Sequence, residues 1–349
     1  MRSSALRIVS RLPSAVAVAF AAAIFGAPAV AERNREIISD SVYLEAQRLI
    51  DVEDGRRLNL YCVGSGSRTV VFESGLGEGM IAWALVQPQV ARRTRACAYD
   101  RAGLGFSDPS PEPRTSEFLV RDLRTLLERA GIAPPFVLVG HSFGGMNIKL
   151  FAEQHQRDVA GLVFVDPSHE NLAKRRWEIA PQGAAANVQY NAFLQRCLEA
   201  KPEELAPGSR LAEGCATPPF SERLSPELRA LATARATTPG YRHAWISEQL
   251  NIWTISAEQL RAAHRSLDPV PIVVLTREPR PRREDQTQEI ANAQNALTVE
   301  LHTEIARMSS RGRIRVVHDS EHHFQLDQPQ EVIAAVLEVL DDSIAADGE

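Results

Sequence analysis

The chain is 349 residues long, 44% hydrophobic and 24% charged, the balance of an ordinary globular protein with more length than one domain of about 100–200 residues needs. Its 39 Lys and Arg against 44 Asp and Glu give a net charge of −5. No basic excess is left to meet a phosphate backbone, which excludes nucleic acid as an expected partner.

Residues 1–31 carry Arg2, Arg7 and Arg11, an apolar run from Ala15 to Phe25, and the small-x-small triplet Ala29-Val30-Ala31. This three-part layout reads as a cleavable secretory signal peptide. The apolar run, about 11 residues, is too short for a bilayer core that needs about 20, so no stable membrane insertion is expected. Cleavage after Ala31 removes three Arg and no acid and takes the net charge from −5 to −8. A periplasmic or secreted chain meets an oxidising compartment. There, four cysteines without a CxxC pair point to disulfides rather than to metal ligands or redox thiols.

Between residues 46 and 166 short apolar runs alternate with helical patterns, the signature of an α/β fold with a mostly parallel sheet. Strands are predicted at Gln47–Val52, Arg57–Val63, Thr69–Glu73, Arg95–Tyr99, Phe136–Val139 and Gly161–Val165. Helices are predicted at Ile81–Arg92, Thr115–Ala130 and Phe143–His155. Residues 167–268 then hold only helical patterns, together with Cys197, Cys215, Trp177, Trp245 and Trp253. After Pro269 the alternation resumes with strands at Val270–Thr276 and Ile314–His318 and helices at Thr298–Ser309 and Pro329–Leu340. A helical stretch of about 100 residues is too long for a plain loop and reads as a subdomain. The expected organisation is a signal peptide at 1–31, a core at 32–166, a helical insert at 167–268 and the rest of the core at 269–349.

The run VLVGHSFGG places Ser142 inside G-x-S-x-G, after an apolar strand and before a helix. A serine at such a turn projects its hydroxyl above the sheet, and the following helix aims its free N–H groups at the reaction centre. A hydroxyl needs a base to take its proton, and the chain order Ser, acid, His points downstream. The adjacent pair His322-His323, between the last strand and the last helix, is placed to reach over the sheet edge, with His322 the first choice. A metal reading of His318-x-x-x-His322 finds no third ligand, and no metal or cofactor is expected. Two positions offer the acid: Asp166, directly after the sixth strand, and Glu278, after the seventh, with Asp285 further along the same arginine-rich loop.

With these pieces in place the sequence resembles the α/β-hydrolase superfamily, in its lid-bearing serine-hydrolase branch, over nearly all of residues 45–345. The resemblance rests on ESGLGEG at 73–79, YDRAGLGFSD at 99–108, VLVGHSFGG at 137–145, LVFVDPSHE at 162–170 and SEHHFQLDQP at 320–329. It implies an eight-stranded, mostly parallel sheet with a helical lid inserted after strand 6. It puts the catalytic histidine at His322, where Glu321 stands in place of the family's usual glycine. It implies an oxyanion hole made by the Leu76 and Phe143 amides, and it makes Asp100, Arg101 and Asp108 structural braces through a buried salt bridge. The family's strand order makes strands 2 and 4 neighbours, which pairs Cys62 with Cys97 and leaves Cys197 for Cys215.

The expected activity is therefore hydrolysis of a small-molecule carboxylic ester with an apolar acyl or alkyl part, through Ser142, His322 and Asp166. Amide cleavage, acyl transfer and haloperoxidase-type chemistry share such a site, and a non-catalytic small-molecule binder is the alternative from another class. Trp177, Tyr190, Phe193, Tyr241, Trp245 and Trp253 are candidates to line an acyl pocket under the lid.

Overall fold

A computed structural model of the chain describes residues 36–206, 208–215 and 221–345. The expected signal peptide at 1–31 lies outside them. Eight strands form one sheet: β1 Arg48–Asp51, β2 Arg57–Val63, β3 Thr69–Glu73, β4 Arg95–Tyr99, β5 Phe136–His141, β6 Val159–Val165, β7 Ile272–Arg277 and β8 Gly312–Val317. Their spatial order is β1-β2-β4-β3-β5-β6-β7-β8. The β1–β2 and β2–β4 pairs are antiparallel and every later pair is parallel. All residues of β3 and β5 are buried, as a parallel sheet covered on both faces requires. That is why these strands read as continuous apolar runs rather than as alternations.

The helices are α1 Gln87–Val90, α2 Ser116–Arg129, α3 Phe143–Gln154, α4 Leu172–Ile179, α5 Gln182–Glu199, α6 Arg210–Cys215, α7 Pro226–Ala236, α8 Pro239–Asn251, α9 Ile255–Ala263, α10 Gln288–Ala306, α11 Phe324–Asp327 and α12 Pro329–Ala345. One sheet face is packed by α2 and α3, with α9 against both helices, through Phe118, Leu126, Phe143, Phe151 and Leu260 of one core cluster. The other is packed by α12 through Val332, Val336 and Val339. α9 therefore lies against α2 and α3 in the layer that flanks the sheet, although it falls within residues 167–268.

Two expected helices differ. The helix expected over Ile81–Arg92 is a 3₁₀ turn at Met80–Trp83 followed by the short α1. Pro88 has no N–H, and in a continuous helix its ring would strike the carbonyl one turn back. It sits instead in the first turn of α1, where neither matters. The helix expected from Thr298 starts earlier, at Gln288, where the Thr287 hydroxyl accepts from the Ile290 amide at 3.2 Å.

Cys62 and Cys97 lie directly opposite each other on β2 and β4 and are joined as a disulfide. Cys197 and Cys215 form the second, tying α5 to α6. Among the described residues no helix is long and apolar enough to cross a membrane.

Candidate active site

β5 ends in the buried run that delivers Ser142, whose φ of 51° lies in the left-handed region disfavoured for a residue with a side chain. The strain is held by close packing. A Cβ added at Gly140 would meet the Gly144 carbonyl oxygen at 2.5 Å, and one at Gly144 would meet the Glu73 carbonyl oxygen at 2.4 Å. Both glycines of the motif are thus required by the approach of α3 to the sheet. The Ser142 amide donates to the Val165 carbonyl at 3.1 Å, which fixes the turn to β6.

His322 joins Ser142 to Asp166. Its Nε2 lies 3.0 Å from the Ser142 hydroxyl and its Nδ1 lies 2.6 Å from Asp166 Oδ2. Asp166 leaves β6 at a φ of 39°, with its amide donating to the Leu275 carbonyl at 3.0 Å. The Arg277 guanidinium donates to both Asp166 oxygens, at 2.8 and 2.6 Å, and to Thr298 Oγ1 at 3.3 Å. Burial opposes ionisation of Asp166. The His322 hydrogen bond and the charges of His322 and Arg277 override it and hold the carboxyl well below its ordinary range. Packing around the His322 ring, against the pull of Asp166 and with help from His141, brings this histidine down to about 4, so it is neutral near pH 7.

The two alternatives of the sequence reading lie elsewhere. Glu278 accepts from the Asp319 amide at 3.0 Å and pairs with His318 Nδ1 at 2.8 Å. Neighbouring residues on extended backbone face opposite sides, so once Arg277 turns to Asp166, Glu278 turns away. His323 pairs with Glu78 at 2.9 Å. The other Glu78 oxygen is 3.2 Å from His141 Nδ1, while His141 Nε2 donates to the His322 carbonyl at 3.0 Å. Burial works against the Glu78 carboxylate, but His141 and His323 hold it well below its usual range. Glu78, His141 and His323 have metal-type spacing, with donor atoms within 4.8 Å of one another, and these hydrogen bonds already account for it. The cluster locks the histidine loop to the elbow.

The loop of Leu76 is clamped by a buried arginine. Arg101 donates to Glu248 at 2.7 and 2.8 Å, to Glu73 at 3.1 Å, and to the carbonyls of Ser74 and Gly75 at 2.7 and 2.6 Å. Glu248 Oε2 also accepts from the Gly77 amide at 2.7 Å, so α8 and the loop share one carboxylate. The buried salt bridge expected of Arg101 is therefore present. Asp100 braces the same region by accepting from Asn59 and from the Met80 and Phe106 amides. Among the described residues no backbone hydrogen bond occupies the Leu76 or Phe143 amide.

A cavity of about 260 Å³ opens beside Ser142, Asp166 and His322. Leu172, Trp253 and Leu301 form its apolar wall, and Arg176, Arg277 and Arg280 form a cationic one. Of the six aromatic residues named as pocket candidates, Trp253 lines this cavity. Tyr241 and Trp245 pack in the core of the helical segment, and Tyr190 is 45% exposed. Trp177 and Phe193 are not in the lining. Sequence reasoning missed Arg277, which it left in the arginine-rich loop after the seventh strand. The available signal was its position as the last residue of a buried strand. Glu248 gave no local signal, because its partner Arg101 is 147 residues away.

Comparison with known proteins bears on the family and the fold. The model of the alpha/beta hydrolase family matches residues 70–336. The YqjL protein of Bacillus subtilis is 35% identical over 105 residues, 30% of this chain and 42% of that protein, so the match spans under half of this relative's length. The sn-1-specific diacylglycerol lipase ABHD11 of Mus musculus is 26% identical over 274 residues, 78% of this chain and 80% of the lipase. A thermophilic esterase from Thermogutta terrifontis superposes with a TM-score of 0.56 at 18% identity, covering 86% of this chain and 99% of the esterase, a likeness of fold. The eight-stranded sheet, the strand-elbow-helix at Ser142 and the family match lead to one conclusion: this chain belongs to the alpha/beta hydrolase family.

Proposed function

We propose that the chain is an exported serine hydrolase that cleaves carboxylic esters through an acyl-enzyme. The observation that carries this reading is the unbroken hydrogen-bond chain from Ser142 through His322 to Asp166, at 3.0 and 2.6 Å. The neighbouring esterase and lipase support the hydrolase class. Ser142 Oγ attacks the ester carbonyl carbon while His322 Nε2 takes its proton, and Asp166 stabilises the imidazolium that forms. The Leu76 and Phe143 amides hold the oxyanion. On collapse the C–O bond breaks and His322 returns the proton to the leaving alcohol. Water, activated by the same histidine, then releases the acid and restores Ser142.

An apolar acyl or alkyl part lies against Leu172, Trp253 and Leu301. In this reading the helices of residues 167–268 act as a lid, because Leu172 and Trp253 come from that segment. Export through the 1–31 signal peptide fits the two disulfides. A fluorophosphonate probe tests the site: Ser142 is expected to be labelled and Ser142→Ala to remain blank. A folded chain that does not react at Ser142 overturns the hydrolase in favour of a small-molecule binder.

A further inference from the structure

The cavity beside Ser142 is unusual in its charge. Its lining holds three guanidinium groups, Arg176, Arg277 and Arg280, against a single carboxylate, Asp166. That carboxylate is fully engaged, since Arg277 takes both oxygens and His322 shares one. The three imidazoles in the lining, His169, His302 and His322, are all shifted toward the neutral form by burial, so they do not alter the balance in the direction of an acid.

Arg176 is the sharpest case. It projects from α4, is half-buried, and has a buried Nε without a hydrogen-bond partner. The strongest charges acting on it are mostly its own kind, Arg277, Arg280 and Arg283, opposed by Asp166. Arg280 is placed by its backbone, which exchanges two hydrogen bonds with the Asn295 side chain at 3.0 and 2.9 Å. Around it Arg277 repels while Asp166 and Glu321 attract, so the like-charge crowding is sharper at Arg176 than at Arg280. Gathering like charges around a cavity, with a buried donor unused, costs stability. A planar anion entering the cavity would offer acceptors to the guanidinium groups that line it, whose forks match a carboxylate in a paired geometry.

We propose that the ester substrate carries a carboxylate, held by Arg176 and Arg280 beside the scissile bond. The proposal rests on the serine-hydrolase reading and narrows it. The apolar wall then contacts only the short chain between carboxylate and ester, so the substrate is a half-ester of a small dicarboxylic acid or an ester of a hydroxy acid.

The test compares matched esters on the full chain. On the acyl side these are the 4-nitrophenyl half-ester of glutaric acid and 4-nitrophenyl valerate; on the alcohol side, 4-carboxyphenyl butyrate and 4-carbamoylphenyl butyrate. On one side of the ester the charged member should have the higher kcat/KM, through a lower KM. The charged-to-neutral ratio should fall about tenfold or more in Arg176→Gln with Arg280→Gln, the scale of a lost charge-assisted hydrogen bond, and recover in part in Arg176→Lys. No charge preference on either side, or a ratio unchanged by the double variant, overturns the proposal. Calorimetric titration of Ser142→Ala with monomethyl glutarate, in both arginine backgrounds, reads binding without turnover. Arginine-dependent binding by a chain that fails to react with fluorophosphonate would retain the anion site and reject the hydrolase. Labelling at Ser142 without arginine-dependent binding would do the reverse.

Discussion

Two arginines of this molecule are set in opposite ways. Arg101 is 2% exposed and spends its donors on two carboxylates and two carbonyls. Arg176 lies at the edge of a cavity among other arginines, with a buried Nε unpaired. Burial alone does not separate a structural charge from one reserved for a ligand; the accounting of partners does. Around Arg101 the protein has supplied every acceptor, and the reward is a fixed loop at Leu76. Around Arg176 it has left acceptors out.

Substituting both arginines by methionine makes the contrast measurable. Arg101→Met should destabilise the chain by about 3–5 kcal/mol in denaturant unfolding, because Glu73 and Glu248 are left buried without their cation. An effect under about 1 kcal/mol would mean that the clamp is not a stabilising feature. Reduction of Cys197–Cys215, by substitution of both with Ser, should cost roughly 3 kcal/mol, the scale of closing a loop with a sequence separation of 18. If α4 is positioned through the segment that this bond ties together, the variant should also weaken binding of a carboxylate ligand.

The pH profile tests the balanced side of the cavity. His322 must be neutral to accept the serine proton, and its value near 4 places the acid limb of kcat/KM for a neutral ester there. Activity should be level on the alkaline side of that limb and fall about tenfold per pH unit below it. A limb near the ordinary histidine value of about 6.5 would show that the ring is more solvated than its packing implies. The smallest effect is expected for Arg176→Met, whose stability should stay within about 1 kcal/mol of the parent or rise slightly as like charges separate. A large loss there would make Arg176 a structural arginine like Arg101.

Much of the fold was legible because its signals are local. The apolar runs of β3, β5 and β6 are written in consecutive residues, and the G-x-S-x-G turn carries its own steric reason in Gly140 and Gly144. The break at Pro88 is also local and follows from its missing N–H, yet the apolar pattern carried the expected helix from Ile81 to Arg92 straight through it. The pairing of Cys62 with Cys97 needed only the order of neighbouring strands, which the family resemblance supplied.

By itself the sequence determined the strands, the elbow and the short set of groups able to serve Ser142. Only the tertiary structure decided among them. Asp166 and Glu278 are both carboxylates and both follow a strand, yet one ends 2.6 Å from His322 and the other pairs with His318. His322 and His323 are adjacent, yet Glu78 claims the second. Arg176 and Arg280 meet at one cavity from segments about 100 residues apart, and whether an arginine is neutralised depends on which carboxylates the fold brings within reach. Charge–charge and hydrogen-bond energies depend on distance in space, which a chain with long crossover connections does not encode in its spacing.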